Sequence, residues 1–163
     1  MANNIKNRND LYQTKFSFGM TSAIVTNLAL ITGLDTSSNA KVSIIAGILV
    51  IAFADNISDS LGIHVFQESE CIERKKILNS TLTNFAVRVF VSLVFVFLIA
   101  FLPISLAVIC SIIWGLGLLS LLSYIIAKDE GVNPYLEIFK HVGIAVLVIF
   151  ASKYLGRFIQ NRL

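Results

Sequence analysis

The stretch KVSIIAGILVIAFADNISDSLGIHVFQESE, Lys41 to Glu70, decides how this chain is read. Residues 41 to 53 are apolar apart from Lys41 and Ser43. Asp55, Asn56, Ser58, Asp59, Ser60 and His64 then arrive in the same run, with no proline to end a helix ahead of them. A membrane-spanning helix needs about 20 mostly apolar residues, so the stretch predicts a span whose second half is polar. An aspartate at the centre of a span costs about 2.5–3.5 kcal/mol on insertion scales. Two of them in one helix require partners, protons, ions or water.

The rest of the chain supports a membrane class. Of 163 residues, 56% are hydrophobic and only 14% are charged, and the mean hydropathy is +0.79. Soluble domains carry about 25% charged residues. The net charge of +3 is spread over the ends of apolar runs rather than gathered on one surface, which argues against a nucleic-acid partner. The cysteines, Cys71 and Cys110, form no CxxC pair, so neither a disulfide framework nor a zinc cluster is indicated. No small-residue cleavage site closes the first apolar run, which is read as a retained helix.

These features predict an all-α integral membrane protein, a single transmembrane domain over 1–163. Five helices are expected, at about 16–34, 41–66, 85–102, 104–127 and 136–159. Pro103 stops the third and leaves almost no connection to the fourth, so those two form a tight hairpin. Lys6, Arg8, Lys15, Arg74, Lys75, Lys76 and Lys128, with Arg88 and Lys140 nearby, gather on one side; Lys41, Lys153, Arg157 and Arg162 gather on the other. The positive-inside rule then gives an N-in, C-out orientation. The chain resides in a cell inner or plasma membrane or an organelle membrane, with lipid as its surroundings.

At 100° per residue, Asp55, Ser58, Asp59 and Gly62 share one face of the second helix. Asn56, Ser60, His64, Gln67 and Cys71 form the neighbouring stripe. Ile57, Leu61 and Val65 remain for lipid or another helix. Carboxylates at i and i+4 point the same way and can share a cation. Asp55 and Asp59 are the expected central ligands, Ser58, Asn56 and Asn27 auxiliary oxygen ligands, and His64 with Glu68 the cytoplasmic entrance. Carboxylate, imidazole and thiolate together suit a borderline transition metal better than calcium or magnesium. The plainer reading is a polar helix–helix seam. In the first helix, Gly19, Ser22, Ala23 and Thr26 begin a seam of mostly small residues. It serves either packing within the chain or a dimer interface, and periodicity does not choose between them.

These two helices resemble the vacuolar iron transporter family of iron and manganese carriers. The resemblance lies in GMTSAIVTNLALITGL, Gly19 to Leu34, and in AGILVIAFADNISDSLGIHVFQESE, Ala46 to Glu70, through Ala54, Asp55, Ser58, Gly62, Ser69 and Glu70. It covers residues 16 to 70; beyond that only the layout of helices matches. It implies a homodimer with the metal path between subunits, lined by helices one and two. It also implies movement of Fe2+ or Mn2+ out of the cytoplasm, with proton antiport, no resident cofactor and no enzymatic activity. Ser22 stands where the family has an aspartate, Asp59 where it has a methionine, and only about fifteen residues, Glu70 to Thr83, replace the plant carriers' cytoplasmic metal-binding domain.

The contrasting expectation is a non-transporting membrane metal sensor or a helical partner subunit of a larger complex. An enzyme reading fails on the residues. Asp55 and Asp59 echo the last two acids of the membrane CDP-alcohol phosphotransferase motif, but residues 40 to 54 hold no acid and no arginine. Two-metal phosphoryl chemistry has no scaffold without the missing carboxylates.

Overall fold

The computed structural model describes residues 19–69 and 74–162, and among them every regular element is a helix. In chain order these are α1 (Gly19–Leu34), α2 (Ala40–Ser69), α3 (Arg74–Phe101), α4 (Ile104–Glu130) and α5 (Pro134–Gln160). The helices α2 to α5 are each long and apolar enough to cross a membrane, and α1 is a shorter apolar helix over its described residues. At 30 residues, α2 is about 45 Å long, more than the roughly 30 Å of bilayer hydrocarbon. The expected start of the first helix at Phe16, and Glu70 and Cys71, lie outside the described residues.

The expected boundaries hold for α4 and α5 to within a few residues. That of α3 does not. Its helix begins at Arg74, not at Phe85, so the connection expected over Glu70 to Thr83 is mostly helix. The candidate membrane span itself reaches back to Ile77, ahead of the apolar run that begins at Phe85. The polar turns ahead of it continue the backbone hydrogen bonding because Asn79, Ser80, Thr81 and Thr83 include no proline or glycine stop.

Both short connections have local causes. Between α3 and α4 lie Leu102 and Pro103; Leu102 still bonds back to Leu98 O (3.2 Å), and Pro103 O accepts the first bond of α4 from Ala107 (2.8 Å). Lys41 Nζ, at the start of α2, donates to Leu102 O at 3.3 Å and closes that end of the bundle. Between α4 and α5, Gly131 takes φ 72° and Val132 N–H bonds to Ala127 O at 3.0 Å. This is the left-handed helix ending that glycine permits. Asn133 then caps α5 by accepting from Tyr135 N–H (3.1 Å), with Pro134 in the first turn.

The bundle is apolar outside and partly polar inside. Phe53, Phe90, Phe101, Ile113, Phe139 and Leu147 are 68–76% exposed, whereas Asn27, Asn56, Asn84, Arg88 and Ser92 are at most 2% exposed. That inversion is the signature of a chain whose solvent is lipid, since water-facing polar surface has no role there. This is a membrane-embedded protein.

Helix α1 lies within the bundle and touches the other four helices. Leu30 packs where Gly47 of α2 leaves room, and Leu28 fills the space over Gly115 of α4. Asn27 bonds Ser92 of α3. At its end, Gly33 meets Gly156 and Ser152 of α5 so closely that any side chain on Gly156 would strike the Gly33 carbonyl. Asp35 just beyond it pairs with Lys153 at 3.0 Å. Close backbone approach through small residues is how helices associate in lipid. Gly19 and Ala23, left open by periodicity between internal packing and a dimer seam, are buried within the chain; Ser22 and Thr26 are half-buried. Gly19 rests on Asn84 of α3.

A second polar tie joins α4 and α5. The Ser123 hydroxyl donates to Leu119 O at 2.7 Å, so in its 2.9 Å contact with His141 the ring Nδ1 is the donor.

The Gly33–Gly156 contact yields a direct test. Gly156→Ala is expected to lower stability by about 1–3 kcal/mol through overpacking. Gly143→Ala, on the same helix with open space beside it, is expected to be neutral. Unfolding in mixed micelles compares the two, and equal stabilities would contradict the α1–α5 contact.

Candidate functional site

The polar half of α2 meets α3 along a single antiparallel seam. The packed face of α2 runs Ile44, Ile48, Ala52, Asn56, Ser60 and Gln67, all buried. The matching face of α3 runs Ile99, Phe95, Ser92, Arg88, Asn84 and Ile77. The seam is apolar at one end and polar from its midpoint onward. Ile57, Leu61 and Val65 are 51–59% exposed on the opposite side, as the helical wheel places them.

Arg88 organises the centre. It is 1% exposed and reaches across to α2 with all three guanidinium nitrogens. Its Nε donates to Asn56 Oδ1 at 2.6 Å. Its Nη2 bonds Asp55 Oδ2 at 3.1 Å, and its Nη1 lies 2.5 Å from Asp59 Oδ2. The i, i+4 spacing that aligns the two carboxylates also lets one planar guanidinium serve both. The amide of Asn56 is fixed in turn, because its Nδ2 donates to Ala52 O at 2.8 Å and so its oxygen must face Arg88.

The acids differ from the arginine in exposure. The side chains of Asp55 and Asp59 are 44% and 35% exposed, against 1% for Arg88. Each engages the guanidinium through Oδ2 and lies at the edge of the seam, on the flank shared with the exposed Ser58 and Gly62. The formal charges of one arginine and two aspartates leave one negative charge in excess. It sits midway along α2, between the exposed apolar residues Val42 and Phe66.

The other expected site residues divide into two groups. His64 and Glu68 do come together, at 3.8 Å, one turn beyond the acids. Asn56 does not offer a free oxygen to an ion, because Arg88 holds it. Asn27 lies on α1, where its Nδ2 donates to Ala23 O (2.8 Å) and Ser92 Oγ (3.0 Å). Ser92 is one turn along α3 from Arg88, so Asn27 belongs to the neighbouring layer of the same seam. Ser60 extends the seam in the other direction by accepting from Asn84 Nδ2 at 3.4 Å. Among the described residues no three His, Cys, Asp or Glu side chains converge.

Arg88 is the residue the sequence reading misplaced. It counts there only as a charge near a helix end. The signal that finds it is a balance of charges: an arginine inside an apolar helix and two acids inside the preceding one must meet, since a lone charge in hydrocarbon costs several kcal/mol.

No known protein family matches the sequence, and no curated protein matches it either.

Removing one partner of a buried ion pair leaves the others unpaired. Arg88→Leu is therefore expected to cost about 3 kcal/mol, the low end for such a break because the acids are partly exposed. Adding Asp55→Asn and Asp59→Asn to Arg88→Leu is expected to recover most of that loss. Unfolding in mixed micelles reads both. Additive losses across the set would show that the three charges do not form one unit.

Proposed function

We propose that this protein is a membrane carrier for a divalent transition-metal cation, Fe2+ or Mn2+, with the Asp55–Asp59 pair as its central binding point. The reading rests on one observation. Two carboxylates one turn apart stand midway along a helix long and apolar enough to cross a membrane, each against Arg88 through one oxygen and each still 44% or 35% exposed. Intramembrane acids on an open flank mark ion pathways more often than packing seams. His64 and Glu68, farther along the same helix, supply a softer pair toward the end that the charge bias makes cytoplasmic. In this reading metal moves out of the cytoplasm in exchange for protons, and the resemblance to the iron and manganese carriers supports that direction.

A carboxylate pair exposed among lipid-facing side chains calls for cover. In this account a second copy provides it, along the α2 flank that carries Ser58 and Gly62. The interface is drawn on α2 because Gly19 and Ala23 of α1 are already packed within the chain. Ser58→Cys is expected to cross-link between subunits in membranes. Failure there, with efficient cross-linking elsewhere, removes α2 from the interface.

The second reading is a non-transporting helical subunit of a larger complex. It is favoured by the burial of Arg88 and its bonds to Asn56 and Asp55, which resemble those of a seam that fixes helix register. Flux into proteoliposomes separates the two. The carrier reading expects Mn2+ uptake that falls about tenfold or more in Asp55→Asn and in Asp59→Asn, the equivalent of at least about 1.4 kcal/mol per lost charged ligand. Wild-type flux no greater than that of empty vesicles would sink it.

A further inference from the structure

The acids and the arginine of the seam are not equivalent. Arg88 is buried, and Asn56, itself locked by Ala52 O, holds its Nε. Asp55 and Asp59 lie over it with their outward sides open. Asp59 touches Nη1 without the alignment of a hydrogen bond, so Nη1 lacks a well-directed acceptor. A cation arriving on the open flank meets the carboxylates first and finds the guanidinium fixed behind them.

We propose that Arg88 is a fixed internal counter-charge that limits cation binding by Asp55 and Asp59 to weak, readily reversed association. The inference rests on the carrier reading above and adds a residue that determines affinity. A bare pair of carboxylates at membrane depth would hold a divalent ion tightly and release it slowly. With Arg88 beneath them the pair presents one net negative charge. A bound divalent cation then leaves the centre with one positive charge, which favours its departure. The acids need only turn outward, and the buried arginine need not move. The roles differ accordingly: the two aspartates touch the cation, and Arg88 acts on it only through its charge.

Equilibrium Mn2+ binding to the purified full-length protein in lipid nanodiscs tests this, with folding checked by size-exclusion profile and helical circular dichroism. Arg88→Gln removes the charge and keeps a hydrogen-bonding side chain. It is expected to bind Mn2+ about tenfold or more tighter than wild type, a conservative figure for deleting a unit charge within about 6 Å at an effective dielectric near 20. Arg88→Lys keeps the charge and is expected to stay close to wild type. Asn56→Asp keeps Arg88 and its packing but gives Nε a carboxylate, so it is expected to tighten binding too. This variant decides the matter if Arg88→Gln does not fold. A purely structural role for Arg88 predicts no gain of affinity in either variant.

If wild type binds Mn2+ and neither Arg88→Gln nor Asn56→Asp binds it more tightly, the inference is overturned and the carrier reading stands. If wild type binds none while one of the two variants does, Arg88 blocks binding instead of weakening it, and both the inference and the carrier reading fall. If no form binds, both fall.

Discussion

A guanidinium shared between two carboxylates within a bilayer constrains everything else in this structure. Charged groups cannot be left alone in hydrocarbon, so Arg88 and the Asp55–Asp59 pair fix how α3 lies against α2. The antiparallel register follows from that meeting. Once Arg88 faces Asn56, Asn84 reaches Ser60, and the apolar residues Phe95, Ile99, Ile48 and Ile44 join one core. A slip by one turn would leave at least one charge without a partner, whereas the apolar half of the seam tolerates displacement. The polar contacts thus supply register and the apolar ones supply close packing.

Helix α1 plays the complementary part. Over Gly19–Leu34 it carries no charged residue and holds its central place by shape. Gly47, Gly115 and Gly156 on three different helices each make room for it, at Leu30, Leu28 and Gly33. Lipid offers no hydrophobic drive for such association, so the fit of small against large residues must provide it. Asn27 adds one directed bond to α3, and the Asp35–Lys153 pair ties the end of α1 to α5. The bundle therefore has a charged lock on one side of α1 and a steric fit on the other.

Much of this was legible in the residues. The apolar runs located α2, α4 and α5, and Pro103 placed the α3–α4 turn. The helical wheel correctly separated Ile57, Leu61 and Val65 from the packed stripe of Asn56, Ser60 and Gln67. Three features were not legible. The first turns of α3 are polar, so hydropathy could not distinguish helix from loop there. The small residues of α1 read equally as an interface or as internal packing, because periodicity reports a face and not what covers it. Arg88 was visible as a charge but not as a partner, because partnership depends on register between helices. An explicit balance of intramembrane charges would have paired it with Asp55 and Asp59.

The pairing also colours the chemistry. Two acids alone would look like a strong divalent site; two acids with a buried arginine look like one tuned for release. The most direct measurement of the central claim is a dipolar recoupling experiment by solid-state NMR on the protein in bilayers, between the labelled guanidinium nitrogens of Arg88 and the carboxyl carbons of Asp55 and Asp59. The account predicts strong recoupling to both aspartates, abolished for each by its own substitution with alanine. Recoupling to neither, in protein that retains its helices, would contradict it.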